Sequence, residues 1–505
     1  MRQRVTFIHD PQDAVDPASL NVGVSAVTGP VIKAAREDRV TLALEELPEE
    51  LKQVLGSCHE LHIRWASPNA YETVTPLLSR LSPGFHLFYT PHADGDMEET
   101  RLCNLLQKAF GPLDCSSPKS SFTALPHDRF SHSAAFQYYQ PLESLAAFIK
   151  YASDDLCPAS DPACGTRVQR LSEASSLDIS YDTISHALKV TATWPSLEQP
   201  VMVTSQRNYR TEVGILAADK LPNMEPDELG LSGILTVLGQ DTKPSQTMFA
   251  FASRHRRAEA AFSSRFLDPT GLHPTLQLQV SSTKPPSDDS YCSLHAYLTL
   301  PRTIFADRYQ LSDPLFLASK NLTALHYITQ PVDLEAPDYA MDLWGSAALL
   351  ELAAPAPSED AETGGGTWTA EVPLHLRYLA PSGTGYRDVE VPYPAVFWAC
   401  TTEEGTKFPS NPFDRVNLGY DALFGPRTVF WHVDPRPEHG QRLMTEVKVP
   451  VLDLSKSAWV NVGTAAAVLL GFAWVAWKLL SVYLKTGYGS APHTSPGEAD
   501  AKKKQ

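Results

Sequence analysis

Ser457 to Trp477 is a run of 21 residues without a charge, set between Lys456 and Lys478. At about 1.5 Å of rise per residue it makes roughly 31 Å of helix, the thickness of a bilayer's hydrocarbon. Trp459, Trp474, Trp477 and Tyr483 stand toward its ends, where amphipathic rings favour the membrane–water interface. A single membrane-crossing helix and its flank are therefore expected over 457–484. Gly463, Ala467 and Gly471 recur every four residues, a small-residue stripe on which another helix can pack, although ordinary membrane-helix composition gives the same pattern.

The flanking charges do not orient the span. Arg442, Lys448 and Lys456 precede it, and Lys478 and Lys485 follow it. The tail "KKKQ" says more: Lys502 and Lys503 stand four and three residues from its end, the spacing of a dilysine retrieval signal read by cytosolic coats. On that expectation residues 485–505 form a cytosolic tail and residues 1–456 are luminal, with endoplasmic reticulum (ER) residence. The sequon "NLT", Asn321 to Thr323, agrees with luminal exposure and offers Asn321 as a glycosylation site. "MRQRVTFIHDPQD" lacks the apolar stretch of a cleavable signal peptide, so a cytosolic, tail-anchored arrangement stays open.

The 505 residues suffice for two to four domains. Net charge is -16, and the five lysines after Trp477 leave the body before it more acidic still. Such a body repels phosphate backbones, so no nucleic-acid partner is expected. With 41 prolines and an ordinary apolar share, short strands and turns are favoured over long helices. The seven cysteines form no CxxC and number too few for a disulfide-dense scaffold. Cys157 and Cys164 lie in "DDLCPASDPACG", a loop-like stretch that fits a short disulfide in an oxidising compartment.

Over 1–165, strand-like runs ("RQRVTFI", "ELHIRWAS", "GFHLFYT") mix with helical ones ("EETRLCNLLQKAFG", "PLESLAAFIKYAS"), a mixed α/β region. Residues 166–268 read as strands, from "SLDISYDTISHALKVTATWP" onward. From 269 to 435 short alternating strands such as "CSLHAYLTLP" and "EVPLHLRYLAP" predict a β-sandwich, broken by the acidic, Gly-rich insert "APAPSEDAETGGGTW". The fold class expected is thus mostly β, with one C-terminal transmembrane helix.

Catalytic patterns are few. "CHELH", Cys58 to His62, carries metal-binding letters, but its alternation is better explained by a strand. Asp94 and Asp96 form a DxD of the kind glycosyltransferases use for a metal and a nucleotide diphosphate; here a polar turn without a βαβ context accounts for it. GxSxG, P-loop, HExxH and Rossmann patterns are absent. His375 and Arg377 share one strand face, with neither acid nor nucleophile beside them in sequence. The reading is of a chain that does not catalyse alone.

Four stretches occur in a telling order: "FADRYQLSD" (305–313), "VDLEAPDYA" (332–340), "PLHLRYLAPS" (373–382) and "YPAVFWAC" (393–400). They resemble the PIG-X family, and the whole chain is similar to its larger fungal PBN members. The resemblance implies a single-span ER glycoprotein, the non-catalytic stabilising subunit of glycosylphosphatidylinositol (GPI) mannosyltransferase I. That enzyme moves the first mannose from dolichol-phosphate-mannose to the GPI precursor. The implied partners are a multi-spanning catalytic subunit and ER membrane lipid; no cofactor is implied. Fungal members are also implicated more broadly in the stability of ER proteins, which keeps a general luminal chaperone as the alternative. His375, Arg377 and Tyr378 match the most recognisable motif, as structural or partner-contact residues. Cys292 and Cys400 flank the family region and are candidates for an inter-strand bridge.

Overall fold

The structure is a computed structural model that describes residues 1–92, 95, 97–126, 135–157, 161–205, 209–220, 224, 228–286, 291–329, 332–355, 367–402, 408 and 411–487. It divides into two compact units. One comprises 1–379 with 388–449, and the other 380–387 with 450–505.

The first unit is built on two large sheets. The twelve-stranded sheet runs, in spatial order, Ser245–Ala252, Glu228–Val237, Arg210–Asp219, Arg2–His9, Ala26–Ala43, Ala187–Thr204, Ser176–Asp182, Cys58–Ala66, Gly84–Pro91, Phe136–Gln140 and Thr123–Ala124, with Asn21–Val22 paired off this path. It draws strands from both sides of residue 165. Arg2–His9 runs parallel to Arg210–Asp219 and antiparallel to its other neighbour, Ala26–Ala43. Alternation makes the hairpin Ser176–Asp182/Ala187–Thr204: Leu177, Ile179 and Tyr181 are buried while their neighbours are half-exposed.

The eight-stranded sheet runs Leu322–Ile328, Gly345–Leu352, Cys292–Pro301, Ala395–Thr401, Thr428–Pro435, His255–Phe266, Thr275–Val280 and Trp368–Pro373. Its middle strand Ala395–Thr401 is buried from Ala395 to Cys400, as expected of a strand covered on both faces. The two sheets share one core, in which Phe85, Tyr138 and Tyr139 join Tyr297, Trp344 and Phe397. Polar ties run through it. Trp344 Nε1 donates to Gln137 O (2.9 Å), and Tyr420 OH donates to Arg80 O (2.8 Å).

A buried ion network adds a second tie. Arg415, in the loop before Tyr420, reaches Glu37 (2.8 Å) and Asp178 (2.7 Å), two carboxylates of the twelve-stranded sheet. Burial alone would raise both carboxyls. Arg415, with Arg39 and Arg4 at Glu37 and Arg64 at Asp178, instead holds them below their ordinary values. Charges so deeply buried persist only when paired, so the network specifies how this loop meets the sheet.

In the second unit, Ser382 N donates to Leu452 O (3.1 Å) and Val451 N to Gly385 O (2.9 Å), ahead of a helix over Leu454–Thr486. Asp453 caps this helix through Ser455 N (2.9 Å), and Gly487, at φ +63°, ends it in the left-handed region that favours glycine. It is the one helix among the described residues long and apolar enough to cross a membrane. The chain is therefore mostly β with one C-terminal apolar helix.

Candidate functional site

The site grows from a two-residue ladder. Ile304–Phe305 pairs antiparallel with His375–Leu376, so Phe305 lies directly opposite His375. The two rings stack, 5.4 Å apart and 17° from parallel. Two residues on, and so on the same face, the Arg377 guanidinium sits 4.5 Å from the Phe305 centroid.

Hydrogen bonds draw in a third segment. Arg377 Nη1 donates to Ala336 O (2.8 Å), and Asp338 N donates to Tyr378 O (3.0 Å). Arg302 Nε holds the same turn through Asp338 (3.1 Å). His375 Nε2 donates to Gln310 Oε1 (3.0 Å), which leaves its Nδ1 to accept from His273 Nδ1 (2.9 Å). Burial, and then His273, hold the His375 imidazole below its ordinary pKa, so it is neutral here.

Three of the four ordered motifs thus converge on one corner, although about 70 residues separate Phe305 from His375. Within it the roles divide. Phe305 and Arg377 are buried, whereas Tyr309, Tyr339 and Tyr378 are 67 %, 68 % and 68 % exposed. Each of the three motifs contributes one exposed tyrosine. Phe305, Tyr309 and Tyr339 escape a reading by residue chemistry because an isolated aromatic carries no catalytic pattern; their one signal is membership of the ordered motifs.

The fourth motif supplies the central strand and Cys400, which faces Cys292 across the ladder and is bonded to it, with Cα atoms 4.1 Å apart. Cys157 and Cys164 are also joined, at 5.6 Å. A third bridge, Cys103–Cys115, was not expected; it ties the helix Arg101–Phe110 to the segment that follows. Cys58 remains a buried thiol, pushed up to about 12 by burial and then by Glu60. A group held so firmly protonated is a poor nucleophile.

Asn321 is exposed in the left-handed region (φ +55°), and its Nδ2 donates to Thr369 O (2.8 Å). His62 lies on the strand Cys58–Ala66, and burial pushes it down to about 3. Asp94, Asp96, Lys502 and Lys503 lie outside the described residues. An apolar cavity of about 340 Å³ lies between the twelve-stranded sheet and its helices, lined by residues including Leu51, Leu106, Phe148 and Ile179.

The family model described as PIG-X / PBN1 matches residues 269–480. Over 506 residues the chain is 59 % identical to protein pbn1 of Neurospora crassa, covering 100 % of each. It is 52 % identical to protein PBN1 of Gibberella zeae (96 % of this chain, 97 % of that one) and 43 % identical to protein pbn1 of Emericella nidulans (99 % of each).

Proposed function

The chain belongs to the PIG-X / PBN1 family, and from that membership we propose that it is the non-catalytic, stabilising subunit of GPI mannosyltransferase I. The enzyme adds the first mannose of the GPI anchor from dolichol-phosphate-mannose. In this reading residues 1–456 are luminal, with the PIG-X-like part at 269–435. Residues 457–484 cross the ER membrane in contact with its lipid, and 485–505 form the cytosolic tail that returns the protein through Lys502 and Lys503. The partner is the multi-spanning subunit that carries the catalytic groups.

The observation that carries the proposal is the division of labour at the motif corner. Stacking and hydrogen bonds fix Phe305, His375 and Arg377, while Tyr309, Tyr339 and Tyr378 are left facing outward. Tyrosine offers large, stiff, amphipathic area and is enriched at the energetic centres of interfaces. A chaperone with many clients works better with an adaptable surface; a rigidly backed set of rings favours one cognate partner.

The test is the combined variant Tyr309→Ala, Tyr339→Ala, Tyr378→Ala. It should fold and reach the membrane normally yet lose most of its co-purification with the mannosyltransferase subunit. Undiminished co-purification would remove this surface from the account.

A further inference from the structure

At one edge of the eight-stranded sheet the strands Cys292–Pro301, Gly345–Leu352 and Leu322–Ile328 lie side by side. His295 stands opposite Glu351 in the first pairing. The outer pairing is irregular: Leu325 faces Leu350 and Tyr327 faces Leu349, so His326 is the extra residue of a bulge. Bulges of this kind re-aim a side chain. Here the bulge places His326 Nε2 2.6 Å from Glu351 Oε2 and its ring 5.2 Å from that of His295. One donor atom from each of the three residues then lies within 4.8 Å of the others.

The inner histidine is fixed before any ligand arrives. His295 is 2 % exposed, lies parallel to Phe397 and meets the edge of Phe424. Its Nδ1 lies 3.1 Å from Ser293 O, a carbonyl that can only accept, so Nδ1 carries the proton and Nε2 presents a lone pair. Metal-binding histidines are oriented in this way, with the far ring nitrogen donating to a carbonyl. A plain His326–Glu351 ion pair explains two of the three residues. It does not explain a second imidazole set beside the first in a dry wall.

We propose that His295, His326 and Glu351 bind one divalent transition-metal ion of the zinc class, through two imidazole nitrogens and a carboxylate, with a fourth position left to water. Two nitrogens and one carboxylate oxygen suit zinc better than calcium or magnesium, which take oxygen ligands. The ion can enter from solvent, because the His326 and Glu351 side chains are 44 % and 18 % exposed. Its effect is to fasten the edge strand, which begins one residue after Asn321, to the sheet's interior.

The experiment takes the full chain in detergent, strips it with EDTA, and titrates it with zinc chloride. It reads bound metal by elemental analysis and the unfolding midpoint by thermal scan. The expected result is one zinc per chain and a midpoint that rises with zinc. His326→Ala and Glu351→Gln, both at partly exposed positions that preserve the fold, should weaken binding at least about tenfold and abolish the rise. His295→Gln should do the same if its circular dichroism is native. A folded wild-type chain that takes up no zinc, or zinc uptake unchanged in the His326→Ala, Glu351→Gln double variant, would overturn the proposal.

Discussion

The imidazole of His375 lies against the ring of Phe305, 5.4 Å between centroids and 17° from parallel, at the point where three segments distant in sequence are joined. This contact makes the motif corner a mechanical part of the fold, with Arg377 packed against the same ring. Phe305→Ala should cost about 3–5 kcal/mol, as for other buried aromatic truncations. Arg377→Ala should cost about 2–3 kcal/mol through the lost ring contact and the unpaired Ala336 carbonyl. Tyr378→Ala, at an exposed ring, should change stability by no more than about 0.5 kcal/mol. Denaturant unfolding of the detergent-solubilised protein measures all three.

The disulfides rank by the loops they close. Cys292–Cys400 spans 108 residues and Cys157–Cys164 spans 7. The chain-entropy relation gives about 4–5 kcal/mol for the long loop and about 2–3 kcal/mol for the short one. Replacing both cysteines of each pair with Ala, and comparing unfolding midpoints, should reproduce that order.

Acid should destabilise the body. Burial pushes His62 and His432 down to about 3 and His86 to about 4. The unfolded chain protonates these groups near 6.5, so their contribution is complete above that pH and is lost as pH falls toward 3–4. At pH 5 each has given up about 2 kcal/mol. Asp414 acts in the opposite sense. Burial raises it to about 6, so its contribution is full below an unfolded value near 4 and is lost as pH rises through 6. It returns only about 1–2 kcal/mol between pH 7 and 5. These four groups together lower the unfolding free energy by roughly 4 kcal/mol across that interval; His295, pushed down to about 4, and His255, lowered by burial, deepen the fall, and a flat profile would contradict the burial of these histidines.

Asn321 supplies a topology test with a built-in control. Glycosylation uses one hydrogen of its Nδ2, and the remaining N–H keeps the bond to Thr369 O. Thr323→Ala and Asn321→Gln should both abolish an endoglycosidase-sensitive mobility shift. Only the second should also destabilise, by about 1 kcal/mol, because Gln suits the left-handed backbone at φ +55° less well than Asn.

The long apolar C-terminal helix and many individual strands were legible because each leaves a local trace. An uncharged run between Lys456 and Lys478 marks the first, and apolar alternation, as in Thr275–Val280, marks the second. Strand order left no such trace. The parallel pairing of Arg2 with Arg210 joins residues that no window of sequence brings together. The motif corner was visible only as conspicuous letters, His375, Arg377 and Tyr378. Its organiser, Phe305, lies about 70 residues earlier and looks like any core aromatic. His326 was hidden for a related reason: its bulge exists only relative to the neighbouring strand.

The most direct measurement of the central claim is the abundance of the multi-spanning mannosyltransferase subunit after rapid depletion of this chain, with unrelated ER membrane proteins as controls. A stabilising subunit predicts that the partner falls severalfold while the controls hold, and that first-mannose transfer falls in proportion to it. An unchanged partner level, with transfer lost or retained, would contradict the account.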